Sequence, residues 1–375
     1  MFLDHLHLRS FRNYQEQVIP FSAQKTILVG NNAQGKSNLL EAVELLATLK
    51  SHRTSRDRDL VQEGSRAGQI EARVQRAYGT AEIKITLRSS GRRSLMLNQE
   101  TLRRNQDLLG IINAVQFSSL DLELVRGGPE ARRVWIDTLL SQLEPVYTHV
   151  LQQYNHVLQQ RNALLKTIRQ REHEGVDIKS QLTQLALWDE QLVVTGTRVC
   201  RRRARVLDRL TPIASQIHHE ISSQTEQLRL TYLPNVSCID EQVGAVQQAF
   251  RDRITERRQV ERIRGTSVVG PHRDDIEFAI DETPARSYGS QGQQRTLVLA
   301  LKMAELRLIE EVVGEPPLLL LDDVLAELDP QRQTQLLETI QDHYQTVITT
   351  THINSFDGQW LQSSQILKVE AGALL

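Results

Sequence analysis

Cysteine is scarce in this chain of 375 residues: there are two, Cys200 and Cys238, far apart and outside any C-x-x-C arrangement. That spacing excludes a disulfide framework, argues against a zinc site and suits a reducing, cytoplasmic setting. Charge of one sign is also missing. The formal net charge is −1, so there is no global basic field, and a nucleic-acid surface has to be a local patch. Aromatics are 5% of the residues and few accompany the basic stretches, which leaves little for stacking on bases. No apolar run reaches the length of a membrane span. Residues 1–6 lack the basic start and apolar stretch expected of a signal peptide. No repeat or low-complexity segment is present. What remains, with a hydrophobic share of 39%, is a chain able to fold as one large domain or two ordinary ones.

The strongest positive signal is Gly30-Asn31-Asn32-Ala33-Gln34-Gly35-Lys36-Ser37. It fits the phosphate-binding pattern G-x-x-x-x-G-K-[ST] at every fixed position. The β-branched run Thr26-Ile27-Leu28-Val29 precedes it and reads as a buried strand; residues 38–49, starting at Asn38, read as a helix. Strand, glycine loop and helix N-terminus make an anion site of converging backbone N–H groups. Gly30 and Gly35 allow the tight turn. Lys36 supplies a charge for the β- and γ-phosphates, and the Ser37 hydroxyl suits Mg²⁺. The expected ligand is a nucleoside triphosphate with Mg²⁺.

Leu318-Leu319-Leu320-Leu321 ends in Asp322-Asp323. A doubly buried parallel strand looks like this, and its C-terminal end is where α/β proteins place ligand groups. Asp322 is assigned to the metal. Asp323 is assigned to orienting or deprotonating the attacking water. Nearly the whole chain separates Lys36 from Asp322, so the nucleotide fold must be split by an insertion.

The insertion is helical in pattern. Leu143, Tyr147, Val150, Tyr154, Val157, Leu164 and Ile168 form a heptad seam with Arg161 at its one missing place. Leu185, Leu192, Val199, Val206 and Ile213 form a second, broken at its other position by Arg202 and Arg203. A polar bend around Gly175 joins them, which predicts an antiparallel helical hairpin. Pro212 is expected to break or restart the second helix. The predicted division is 1–125 and 266–375 for the two parts of an α/β head, with 126–265 the inserted helical domain.

Two segments connect this layout to a family. Ser290-Gln291-Gly292-Gln293 opens a helical run and resembles the signature motif of ABC-type ATPases, with Gln291 as a departure; Ala326-Glu327-Leu328-Asp329 resembles their D-loop. Ser290 is a good N-cap, and the helix it starts is a second anion site. The fragments Phe11-Arg12-Asn13-Tyr14, Ser51-His52-Arg53-Thr54, Gln160-Arg161-Asn162, Gly270-Pro271-His272-Arg273-Asp274-Asp275 and Leu320-Leu321-Asp322-Asp323-Val324 are similar, in order, to the bacterial RecF family of SMC/ABC-type ATPases. Ser118-Ser119 departs from the usual Pro-Glu of that family ahead of Asp121.

The resemblance implies an ATP-dependent DNA-binding protein of recombinational repair and replication. It would bind gapped, single- and double-stranded DNA, act with RecR and RecO to help load RecA, and form an ATP-dependent homodimer with weak ATPase activity. Ser290, Gly292 and Gln293 would complete the site of a second subunit. Two rivals are an SMC-like structural tether and a metabolic phosphate-loop kinase; the second has no use for Ser290. Arg12, Arg53 and His352 are further candidates near the nucleotide, and Gln116 has no role implied by the resemblance. Arginine-rich residues 201–205 and 251–264 are the densest basic stretches, suited to sequence-independent contact with phosphates. The 270–275 segment reads as a turn without a mechanism.

Overall fold

The computed structural model describes residues 1–237, 242–353, 356 and 358–375, with the side chains of Glu327 and Gln359 left aside. Cys238 lies outside the described residues. The first elements are β1 (Phe2–Phe11), β2 (Tyr14–Pro20), β3 (Lys25–Val29), α1 (Lys36–Thr48), β4 (Ala67–Arg76), β5 (Gly79–Arg88), β6 (Ser94–Leu97), β7 (Glu100–Thr101) and β8 (Ala114–Ser118). Then come α2 (Glu123–Arg126), α3 (Pro129–Leu143), α4 (Pro145–His173), α5 (Lys179–Ile221), β9 (Leu228–Leu233), α6 (Val243–Arg264), β10 (Asp275–Ile280), β11 (Thr283–Pro284) and α7 (Ala285–Tyr288). The remainder is α8 (Gln291–Val313), β12 (Leu318–Asp322), α9 (Pro330–Ile340), β13 (Thr346–Thr350), α10 (Gly358–Gln362), β14 (Ser364–Glu370) and β15 (Ala373–Leu374).

The chain divides into two compact units. One holds Met1–Leu122, Ile213–Glu226 and Ser290–Leu375; the other holds Glu123–Pro212 and Gln227–Gly289. The sequence-based division differs in three places, the smallest being residues 123–125, which fall in the helical unit. Residues 266–289 belong with the helical unit, and residues 213–226 with the head. The placing of 266–289 has a plain cause: β10 pairs antiparallel with β9, from Asp275 opposite Leu233 to Ile280 opposite Leu228. Such non-local pairing leaves no trace in local periodicity.

In the head, a mixed sheet runs β15-β14-β3-β13-β12-β8, and an antiparallel sheet runs β2-β1-β4-β5-β6-β7. Strands β14, β3, β13, β12 and β8 are parallel to their neighbours in that run. Both faces of β3, β12 and β13 are covered, which is why they read as unbroken apolar or β-branched runs. Register sets Val29 opposite Thr350, Thr349 opposite Asp322 and Asp322 opposite Ser118. The loop after β3 and the acidic end of β12 therefore leave the same sheet edge. Helix α1 is buried nearly all round, as an apolar-sided helix between layers must be. Its Leu39, Val43 and Leu46 share one core with Leu6, Ile70 and Ile85 of the antiparallel sheet and Leu320 of β12.

The helical unit is held by buried ion networks as well as apolar seams. Tyr147, Val150, Tyr154, Val157 and Ile168 are buried along α4, but Leu143 ends α3 instead. The gap in the seam, Arg161, is buried and donates to Asp189 of α5 (2.9 Å), Glu261 of α6 (2.5 Å) and Ser267 (2.7 Å). Leu185, Leu192, Val199 and Val206 are buried on α5. Arg203, which interrupts that seam, is likewise buried. It grips both Asp137 oxygens at 2.9 Å and donates to Asp274 at 3.0 Å. A third long helix, α6, thus joins the expected pair. Helix α5 runs through Pro212 without stopping. Pro212 and Asp208 are exposed, so the carbonyl that loses its helical donor faces water.

The 270–275 turn is the hub of this unit. Asp274 is buried and accepts the Arg203 guanidinium, the Tyr232 hydroxyl and the Asn235 N–H. Asp275 pairs with Arg132 at 2.6 Å. His272 Nε2 donates to Ser267 O at 3.2 Å, so its Nδ1 accepts the Tyr154 hydroxyl at 2.6 Å. Burial pulls the His272 pKa down to about 4, so the ring is neutral.

Candidate functional site

The phosphate loop spans the end of β3 and the start of α1. Gly35 adopts φ +117°, and a Cβ there would lie 2.8 Å from the Asn13 amide; only glycine fits this backbone without strain. A Cβ on Gly30 would lie 2.3 Å from Val369 O. The loop is also fixed from outside. Asn13 Nδ2 and Gly372 N both donate to Gln34 O at 2.9 Å, Ala371 N donates to Gln34 Oε1 at 2.6 Å, and the Tyr14 hydroxyl donates to Gly35 O at 3.0 Å. Asn31, Asn32 and Ala33 form the exposed crest.

Lys36 is buried. Its ammonium donates to Gly30 O at 2.8 Å and Asn31 O at 3.1 Å, inside the curve of the loop. Ser37 Oγ donates to Asp322 Oδ1 at 2.7 Å. The structure thus joins, across most of the chain, the two oxygens the sequence assigns to Mg²⁺. Two hard oxygen donors on facing elements are the ligand chemistry Mg²⁺ takes. Asp323 follows in a left-handed conformation, φ 53°. Burial raises the pKa of its carboxyl, Asp322 adds to the rise, and Lys36 opposes it. A raised carboxylate beside a cation is a better proton acceptor than an ordinary aspartate.

Sequence reasoning missed Thr349. Its hydroxyl donates to Asp322 Oδ1 at 2.8 Å and accepts the Asp323 N–H at 2.9 Å. The available signal was a polar residue in the otherwise apolar run before Thr350, on the strand beside β12. A polar shell backs α1. The Asn38 amide bridges Asn13 (2.8 Å) and Arg53 (2.6 Å). Arg12 forms a fork on buried Glu41, at 2.9 and 2.6 Å. Arg12 is thus tied to α1, whereas Arg53 stays half exposed. His52 Nδ1 contacts Glu44 at 2.7 Å. Burial opposes its charge, but Glu44 first, then Glu41 and Asp322, leave its pKa raised. Gln116 lies on β8 at 3.5 Å from that ring. His352 is exposed, and among the described residues only its backbone is engaged, with Thr350.

Ser290 caps α8 in a complete capping box: its Oγ accepts Gln293 N at 3.2 Å, and Gln293 Oε1 accepts Ser290 N at 2.8 Å. Gln293 Nε2 also reaches Glu226 at 3.0 Å. Gly292 keeps the first turn open, with Arg332 nearest. Arg332, at the start of α9, donates to Thr296 at 2.7 Å and pairs with Asp329, linking the D-loop-like segment to this helix. Among the described residues, no hydrogen bond joins Ser290, Gly292 or Gln293 to the phosphate loop. Asp121 has a place despite the altered residues before it: it accepts Ser118 N at 2.6 Å and pairs with Lys302 of α8 at 3.0 Å.

The basic stretches are largely neutralised. Arg251 pairs with Glu190, Arg253 and Arg257 with Glu256, Arg258 with Asp189, Arg262 with Glu172, and Arg202 with Glu144. No cluster of metal-binding side chains occurs among the described residues, and no helix there is long and apolar enough to cross a membrane.

A phosphate loop, an acidic strand end and a capped signature-like helix on one sheet-based unit define the head of an ABC-type ATPase, assembled from distant parts of the chain. The sequence model of the RecF/RecN/SMC N-terminal domain family matches residues 2–372. The DNA replication and repair protein RecF of Gloeothece citriformis is 65% identical over 381 aligned positions, spanning 100% of this chain and 99% of the relative. That of Rippkaea orientalis is 66% identical over 377 positions, with the same coverage. Among solved structures, the recombination mediator protein RecF-ATPrS in the RecFOR pathway matches with TM-score 0.91 at 31% identity, over 100% of this chain and 97% of that one. A Pyrococcus furiosus Smc head domain matches with TM-score 0.56 at 16% identity, over 100% of this chain and 95% of that one, which speaks for the fold alone. The chain belongs to the RecF family of DNA replication and repair proteins.

Proposed function

We propose that the protein is a cytoplasmic, ATP-dependent DNA-binding protein of recombinational repair that recognises gapped DNA and acts with RecR and RecO to help load RecA. The observation that carries this reading is the bond between Ser37 and Asp322, flanked by Lys36 and Asp323, in a member of the RecF family. Loop amides and Lys36 bind the phosphates. Ser37 and Asp322 would hold Mg²⁺, which supplies charge neutralisation at the phosphates. Asp323 takes a proton from the attacking water through its carboxylate. The exposed N-terminus of α8 offers Ser290 and free backbone N–H groups to the γ-phosphate held by a second copy of the chain. ATP therefore drives dimerisation, and slow, DNA-stimulated hydrolysis reverses it. A monomeric kinase would leave the capped α8 start without a purpose.

The test is Ser290→Arg, studied by sedimentation and nucleotide titration. ATP binding is expected to persist while ATP-induced dimerisation, hydrolysis and ATP-dependent DNA binding fall together. Mixing it with Lys36→Ala, which should lose ATP binding, restores partial activity if one composite site survives in the heterodimer. A wild type that stays monomeric with ATP and hydrolyses it at a concentration-independent rate rejects the sandwich.

A further inference from the structure

The late turns of α4 and the C-terminal end of α6 line an open cleft of about 590 Å³, formed by Lys166, Arg169, Gln170, His173, Glu174 and Arg264. Its charge differs from the rest of α6. There Arg251, Arg258 and Arg262 each pair with a carboxylate, and Arg253 and Arg257 share Glu256. In the cleft, among the described residues, the side chains of Lys166 and Arg264 have no ion-pair or hydrogen-bond partner, and Arg169 donates only to the Arg264 carbonyl, at 3.1 Å. The one acidic residue of the lining, Glu174, accepts from Gln170 at 2.9 Å. Three permanent cations thus face one carboxylate.

The placement follows from the helices. Lys166, Arg169, Gln170 and His173 are spaced to share one face of α4. Gly265 caps α6 at φ +67°, and a Cβ on it would meet Arg169 Cδ at 3.3 Å. The glycine lets the end of α6 close on α4 and sets Arg264 beside Arg169. Arg264 stands in the last turn of α6, where the helix dipole favours a cation. The cleft is wide and open, which suits a chain carrying repeated phosphates better than a small anion. Its lining has no Phe, Tyr or Trp, so bases have nothing to stack on.

We propose that this cleft is a contact site for the sugar-phosphate backbone of DNA, independent of base sequence. The proposal rests on the DNA-binding reading above and adds a surface to it. The test uses the full chain with Mg-ATP and a fluorescent gapped duplex, over a salt series. The triple variant Lys166→Ala, Arg169→Ala, Arg264→Ala is compared with Arg251→Ala, Arg253→Ala, Arg257→Ala. Both lose three positive charges, but only the first loses unpaired ones. Each phosphate contact adds about 0.9 to the slope of log affinity against log salt. The cleft variant is expected to lose roughly two to three units of slope, and the control less than one. Lys166→Glu alone, at an exposed side chain without partners, should weaken binding several-fold with an unchanged melting temperature. Equal effects of the two triple variants, or an unchanged slope in the cleft variant, overturn the proposal while leaving the DNA-binding reading intact. A wild type with no DNA affinity overturns both.

Discussion

Thr349 joins the two acidic residues of the site: one hydroxyl donates to Asp322 Oδ1 at 2.8 Å and accepts the Asp323 N–H at 2.9 Å. Ser37 uses the same Asp322 oxygen, so Thr349 fixes which way that carboxylate turns. The second bond holds Asp323 in its left-handed backbone, a conformation that an isolated aspartate only rarely adopts. Thr349 is a positioning residue on this geometry. Thr349→Val keeps shape and removes both bonds. Turnover at saturating Mg-ATP is expected to fall about tenfold, equivalent to ~1.4 kcal/mol of barrier. ATP affinity should change little, and Thr349→Ser should restore the rate. An equal loss in the serine variant would mean the methyl packing matters instead.

Asp323→Asn is expected to bind ATP normally and hydrolyse it about 10²–10⁴-fold more slowly, since the amide cannot accept a proton. The raised Asp323 pKa adds a pH signature. With the carboxylate as the proposed working form, turnover should decline on the acid side at a higher pH than an ordinary aspartate would give. A pH–rate profile of the wild type measures this, and a flat acid limb would point to another base.

Gly35→Ala places a Cβ at φ +117° against the Asn13 amide. A non-glycine residue in such a region costs about 1–3 kcal/mol, and here relief means moving the loop. Fluorescent nucleotide titration should show at least a tenfold loss of affinity, with the helical unit's circular dichroism unchanged. Wild-type affinity would show that Asn13 can move aside.

Arg161→Ala leaves Asp189 and Glu261 with less than their full complement of charge in a buried setting. Removing one side of a buried ion network typically costs about 3–5 kcal/mol. Urea unfolding of the helical unit should shift to a correspondingly lower midpoint, while nucleotide binding by the head persists. A midpoint within error of wild type would mean that Arg258 alone serves Asp189.

His272 links stability to pH. Its pKa is about 4 when folded, because burial disfavours the imidazolium, against the ordinary histidine value of 6.5. The unfolded chain takes up the proton first, so stability is full above about pH 6.5 and is lost as pH falls towards 4. The loss approaches about 3 kcal/mol, from ~1.4 kcal/mol per unit. Denaturant midpoints between pH 7 and pH 5 should fall in the wild type and be flatter in His272→Gln. Parallel slopes would assign the effect to other groups.

Much of the site could be read from the chain because it rests on short, strongly typed segments. Thr26 to Val29 and Leu318 to Leu321 are buried on both sides, so their composition alone marks them as central strands. The glycines at 30 and 35 stand where the backbone has no alternative. Thr349 was not legible, because its role depends on register between β12 and β13, and register is a property of the assembled sheet. The basic stretch of α6 read as a surface for phosphates because its carboxylates lie on other turns and other helices, Glu190 and Glu172 among them. Arg161 and Arg203 looked like faults in apolar seams. They are the seams' charged centres, and their acidic partners come from as far as Glu261 and Asp137.

The two sheet neighbours of β3 are β13 and β14, and the loop that follows β3 is tied to Ala371, 337 positions later. A ribosome therefore finishes the phosphate loop long before it delivers the strands that support it. Until then β3 has no sheet to join, and its apolar faces need other cover. Pairings this distant carry a large loop-closure cost and fold slowly. A protein halted short of Ala371 would carry every residue of the loop without the strap that holds it.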